Sequence, residues 1–224
     1  DEAVGYVAKW DAADRFVFLD TVQYAKNGWQ NRNRIKTRAG PRWLTVPVRA
    51  RLGTPIRDVA VDTAQPWRRR HLGTIEHAYR AARHLERHHG ALVEFYGREW
   101  TRLAPLAAES AAWLARAFGI ATPMRLASDL GVTASDPTGR LVALCRAVGA
   151  DTYLAGRDGA SYMDRGQFEA AGIAVRFQRY AHPTYPQIHG EFTPFLSALD
   201  LLLTHGDEAI SILRGGDAWS ELPP

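Results

Sequence analysis

Between Thr138 and Phe177 the sequence changes its hydrophobic period repeatedly, and this constrains the fold more than any other feature. Helical spacing over Thr138 to Val148 gives way to the apolar run Thr152 to Ala155. A second helical stretch, Tyr162 to Ala171, then leads into the run Ile173 to Phe177. Short apolar strands separated by helices suit parallel pairing, because a parallel crossover needs the length of a helix to return the chain. The start of the chain reads the same way: a helix from Gly5 to Ala13 precedes the strand Arg15 to Leu19, which ends at Asp20. The expected class is therefore α/β, a mainly parallel sheet flanked by helices.

The rest of the pattern fills in around that sheet. Trp43 to Val48 and Ile56 to Val61 read as further strands, with Pro47 placing the first at an edge. Helical spacing runs from Trp67 to Arg87 and from Ala91 to Phe118, with Gly90 and Gly119 as stops, so a long helical insertion is expected over about residues 67–120. Met124 to Ala127 is one more short run, and Thr193 with Pro194 opens a final helix as N-cap and first helical residue. With 46% hydrophobic and 23% charged residues, all 224 residues suit one domain. The apolar runs Ala111 to Ala117 and Phe195 to Leu203 fall short of a membrane span. No leader opens the sequence, so a cytoplasmic address is expected.

The formal net charge is +4, and Lys occurs only at Lys9, Lys26 and Lys36, so Arg carries the positive charge. Basic residues crowd between Lys26 and Arg102. Guanidinium forks match carboxylate and phosphate geometry, which points to an anionic partner. Cys145, in an apolar helical stretch with no activating neighbour, reads as core. His84 and His88 share a helical face but lack a third ligand at a known spacing, and no metal site is expected.

Three polar segments fall beyond the carboxyl ends of strands, where open sheets bind ligands. The first, Asp20 to Lys36, offers Gln23, Tyr24, Lys26, Trp29, Asn31, Arg32, Asn33 and Arg34. Amides and guanidinium groups can hold hydroxyls and phosphates there while an aromatic ring stacks. On an extended segment Arg32 and Arg34 share one face and Asn31 and Asn33 the other. The second offers Gly156, Arg157, Asp158 and Tyr162, with Gly159 opening the backbone and Ser161 capping the next helix. The third runs from Gln178 to Gly190, where Pro183 and Pro186 would fix the directions of His182, Tyr185, Gln187 and His189. His182 is the candidate proton acceptor, with Asp20 opposite it if both strands belong to one sheet. Arg68 and His71 at a helix start form a further anion-binding end. The bland alternatives are a solvated basic loop, a Gly-rich strand-to-helix turn and a His bonded to a backbone carbonyl.

These blocks together resemble one family. Gly5-Tyr-Val-Ala-Lys, Asp14 to Asp20 with Val22-Gln-Tyr, Trp29-Gln-Asn-Arg-Asn-Arg-Ile-Lys, Trp43-Leu-Thr-Val-Pro-Val, Trp67-Arg-Arg-Arg-His-Leu, Gly149 to Gly156 and His182-Pro-Thr-Tyr-Pro-Gln look like the WbqC-like family nearly end to end. That family usually opens with a strand and a His-Gln-Pro segment before the Gly-Tyr, so the resemblance implies that a first strand and some site residues fall outside this sequence. It also implies a role near bacterial surface-polysaccharide or natural-product pathways. The implied activity is transfer of a glycyl, other aminoacyl or acyl group to an amine or hydroxyl of a sugar nucleotide or similar phosphate-bearing acceptor, with ATP or an aminoacyl-tRNA as candidate donor. A faint likeness to the nucleotidyltransferase-like α/β fold accompanies it. The competing expectation is a non-catalytic nucleotide- or RNA-binding module, tRNA included, or an adaptor.

Overall fold

The structure, a computed structural model, describes residues 3–134 and 136–222, with the backbone alone at Asp158. In chain order come helix α1 (Ala3–Ala12) and strands β1 (Phe16–Phe18), β2 (Arg32–Thr37), β3 (Gly40–Thr45), β4 (Val48–Arg49) and β5 (Ala60–Val61). Helices α2 (Trp67–Tyr79), α3 (Leu85–Gly97) and α4 (Leu103–Ala117) follow, then β6 (Met124–Leu126), α5 (Pro137–Ala147), β7 (Thr152–Ala155), α6 (Arg165–Ala170) and β8 (Ala174–Gln178). Helices α7 (Ala198–His205) and α8 (Ala209–Gly215) and strand β9 (Trp219–Ser220) complete it.

The fold is mixed α/β, and its strands form small sheets rather than one. β1 pairs in parallel with β6, and β7 in parallel with β8, as the alternation of periods requires. β9 adds antiparallel to the other edge of β8. Elsewhere the parallel expectation is corrected: β2 and β3 make an antiparallel hairpin, and β4 pairs antiparallel with β5. Only a two-residue turn separates β2 from β3, too short for a parallel crossover. Gly40 leaves that turn at φ +99°, and Thr37 Oγ1 donates to its carbonyl at 2.8 Å. Pro47 lies between β3 and β4, and Ile56 to Asp58 is a 3-10 turn instead of strand. The single sheet behind the nucleotidyltransferase likeness is therefore not formed among the described residues.

The helical region is corrected too. Its first break falls between Tyr79 and Leu85, where the His84 N–H donates to Leu203 O and the ring packs on Gly206, while Gly90 lies inside α3. That break is set by tertiary contact, so no Gly or Pro marks it. Gly119, at φ +79°, does end α4. These helices are not an appendage, since α2 packs on β2, and α3 and α4 pack on α7. The helix expected to open at Thr193 is α7, which starts at Ala198, capped by Ser197, and α8 follows it. Leu201, Leu202 and Leu203 on α7 are all fully buried. A helix apolar on every side belongs inside a core. Each such leucine contributes about 1.5–3 kcal/mol of transfer energy before its entropy cost. Asp164, not Ser161, is the N-cap of α6, accepting from the Gly166 N–H at 3.0 Å.

Candidate ligand cavity

Ile35 and Lys36 of β2 are buried on opposite faces, and the strand divides two environments. Asn31, Asn33 and Ile35 line a cavity of about 520 Å³, within the range of small-ligand sites. The walls are largely apolar and aromatic, including Phe18, Trp67, Phe95, Tyr96 and Trp113. Trp29, Arg32, His71 and Ser197 contribute at intervals. Opposite, Arg34 and Lys36 reach the segment before α7. Arg34 Nη2 donates to the carbonyls of Phe195 (3.1 Å) and Pro194 (3.4 Å), and Lys36 Nζ to Gln187 Oε1 (3.0 Å) and the carbonyl of Glu191.

Five of the residues expected from sequence thus line the cavity: Trp29, Asn31, Arg32, Asn33 and His71. The Asn31 amide is anchored, donating from Nδ2 to Val46 O at 2.8 Å. Arg32 Nε donates to Gly28 O (3.2 Å), and its guanidinium lies 4.3 Å from the Trp43 ring centre. Trp29 and Trp43, 42% and 39% exposed, stand 5.0 Å apart with Arg34 beside both. His71 is 8% exposed with Nε2 3.1 Å from Thr45 O, and burial pushes its pKa down to about 4. It is therefore neutral near pH 7 and adds no positive charge to the helix start, a correction of the anion-binding reading.

Behind β2 lies a buried polar centre that sequence reasoning missed except for Tyr185 and Gln187. Asp200 is 0% exposed; its Oδ1 accepts from the Tyr79 hydroxyl at 2.7 Å and its Oδ2 from the Tyr185 hydroxyl at 3.0 Å. Burial raises the Asp200 pKa, partly offset by those two donors. The Lys36 N–H donates to the Tyr79 oxygen at 3.2 Å, and Gln187 Oε1 also accepts from the Thr193 N–H at 2.9 Å. One signal was available: Trp67, His71, Ile75 and Tyr79 recur every four residues and are all buried. A polar residue on that stripe needs a partner inside.

The remaining expected residues lie elsewhere. Asp20 is buried with both carboxylate oxygens on Ser128, accepting from its N–H (2.9 Å) and hydroxyl (2.6 Å), so it ties the ends of β1 and β6 together. β1 and β8 lie in separate sheets, so the premise that brought Asp20 opposite His182 does not hold. His182 engages both ring nitrogens with backbone: Nδ1 lies 2.9 Å from Pro183 O, and Nε2 accepts from the Phe195 N–H at 3.2 Å. Gln23 bridges to Pro55, the Tyr24 N–H donates to Thr54 O at 2.8 Å, and Lys26 is exposed. Arg68 Nη1 donates to the Gly97 and Arg98 carbonyls, capping α3. Gly156, Arg157 and the Asp158 backbone start a 3-10 turn away from the cavity lining, and Tyr162 is exposed beyond it. A side chain at Gly159 would meet Ala155 at 3.1 Å and Met163 at 3.2 Å, so that glycine serves core packing, not ligand approach. Cys145 is buried, and burial pushes its thiol pKa up to about 11.

No helix among the described residues is long and apolar enough to cross a membrane. No three His, Cys, Asp or Glu side chains among them gather as a metal ion would require. No solved structure matches the chain. It is 35% identical over 215 residues to the uncharacterized protein Rv1507c of Mycobacterium tuberculosis, covering 94% of this chain and 92% of that one. The model of the WbqC-like protein family matches residues 3–212, nearly the whole chain, and the chain therefore belongs to that family.

Proposed function

We propose that the chain is a biosynthetic transferase that moves an aminoacyl or other acyl group onto an amine or hydroxyl of a small acceptor. The observation that carries this reading is the cavity of about 520 Å³ beside β2. Its aromatic walls suit the apolar body of one reactant, and Arg32 with Asn31 and Asn33 suits a polar or anionic end. A sugar nucleotide or other phosphate-bearing acceptor would then place its charged part at the Arg32 rim. Membership of the WbqC-like family supports a biosynthetic setting. The test is to incubate the purified chain with nucleotide sugars, glycine, ATP, acyl thioesters and charged tRNA and to follow products by mass. A product whose mass equals acceptor plus acyl group less one hydrogen, formed as the donor's thiol, phosphate or tRNA leaves with that hydrogen and lost in Arg32→Ala, supports the proposal. Absence of any product across the panel contradicts it.

A second reading, a nucleotide- or RNA-binding module, is favoured by one surface feature: exposed Trp29 and Trp43 interleaved with Arg32 and Arg34. Bases stack on such rings while Arg reaches phosphate. RNA binding that weakens steeply with salt, and falls in Trp43→Ala, supports this reading. Undetectable RNA binding at low salt removes it.

A further inference from the structure

We infer that His71 Nδ1 is a hydrogen-bond acceptor opening onto the cavity, and that the cavity takes a ligand carrying an O–H or N–H donor on an apolar body. The inference rests on the cavity being the ligand site. Nε2 stands 3.1 Å from Thr45 O, and a carbonyl oxygen only accepts. Nε2 must carry the hydrogen, which fixes the tautomer and leaves Nδ1 with its lone pair. The ring is held edge-on to Trp67 at 5.3 Å and to Tyr96 at 6.0 Å, so it has little freedom to turn.

Among the described residues, the buried side-chain nitrogen or oxygen without a hydrogen-bond partner is Arg34 Nε. Among the described residues His71 Nδ1 has no hydrogen-bond partner and is not one of the buried unpartnered atoms, so it meets open space, and the open space that His71 lines is the cavity. Three other polar groups on the wall are occupied internally: Asn31 Nδ2 donates to Val46 O, Ser110 Oγ to Ala107 O, and Ser197 Oγ accepts from the Leu199 N–H. Burial holds the imidazole neutral, with its pKa near 4, so the lone pair is available at neutral pH. A ligand that fills the cavity without offering a hydrogen strands this acceptor, which disfavours it by roughly tenfold.

The test uses the intact chain labelled with nitrogen-15 histidine, and phenol and toluene as probes. Long-range proton–nitrogen spectra at neutral pH, with His71 assigned from His71→Phe, are expected to show the Nε2–H tautomer. Saturating phenol is expected to shift the Nδ1 resonance and toluene to leave it unmoved. Tryptophan fluorescence, sensitive to Trp29, Trp67 and Trp113 on the wall, reports filling by either probe. The affinity ratio of phenol to toluene is expected to fall roughly tenfold in His71→Phe. A hydrogen on Nδ1, or an Nδ1 resonance unmoved by phenol that does fill the cavity, overturns the inference and leaves the cavity reading standing. If neither probe alters the tryptophan signal at saturation, the cavity reading falls and the inference with it.

Discussion

Tyr79 and Asp200, 121 residues apart in the chain, are joined by a 2.7 Å hydrogen bond in the interior. The same Tyr79 oxygen accepts from the Lys36 N–H, so one hydroxyl ties α2, α7 and β2. Removing it leaves a buried carboxylate short of a donor and a buried amide without an acceptor. Tyr79→Phe should therefore lower unfolding stability by about 1–3 kcal/mol. Tyr185→Phe should cost a similar amount, and the double variant less than the sum, because both hydroxyls serve Asp200. Urea unfolding checks this, and single-variant changes within about 0.5 kcal/mol of zero would show that the centre is not satisfied as described.

His71 makes stability depend on pH in one direction. Its folded pKa is about 4 against an ordinary 6.5, so within that window the unfolded chain binds a proton and the folded chain does not. Stability is complete above the ordinary value, falls as pH drops through the window, and levels off below the folded value. The loss is at most about 3 kcal/mol. Urea unfolding from about pH 7.5 to about 4.5 should show a shallower slope in His71→Gln than in the parent chain. Parallel slopes would contradict burial of the neutral ring. Asp200 acts in the opposite sense: its pKa is raised by burial, so its contribution is present at low pH and lost as pH rises through the folded value. Asp200→Asn separates the two effects.

Arg32 and Arg34 should behave differently despite their spacing. Arg32 lines the cavity, whereas Arg34 bonds to the Pro194 and Phe195 carbonyls. Arg32→Ala should weaken binding of an anionic apolar ligand by about 1–3 kcal/mol, beyond any loss of stability from its bonds to the Gly28 and Asn27 carbonyls. Arg34→Ala should instead lower the melting temperature, with a smaller change in affinity. Titration calorimetry with anilinonaphthalene sulfonate, paired with thermal unfolding, checks both. Equal affinity losses at the two positions would mean that the strand presents both guanidinium groups to the ligand.

Where local pattern fixes structure, the sequence was legible. The strands at Phe16 to Phe18, Thr152 to Ala155 and Ala174 to Gln178 and the helices around Val7 and Leu144 follow from period and apolar runs. The alternation of side chains along β2 was legible only in part: Asn31 and Asn33 part from Arg34, but Arg32, expected on the face of Arg34, lines the cavity with the two Asn. Sheet membership was not, because short strands leave pairing to tertiary contacts. That is why Asp20 went with Ser128 rather than His182. The buried centre was hidden for a related reason: Lys36, Tyr79 and Asp200 lie on separate elements and meet only after folding. His182 shows the limit of residue type, since the imidazole that suggested proton transfer accepts the N–H of Phe195, whose own φ is +62°.

The most direct test of the cavity as the ligand site is to fill it from within. Ala107 on α4 lines the wall, and Ala107→Phe projects a ring into the space while keeping a helix-compatible residue. Binding of anilinonaphthalene sulfonate, read by dye fluorescence in chains with matched circular dichroism and unfolding curves, should be saturable in the parent and weaker by at least about tenfold in the variant. Undiminished, saturable binding in folded Ala107→Phe would contradict the claim and place the ligand elsewhere on the surface.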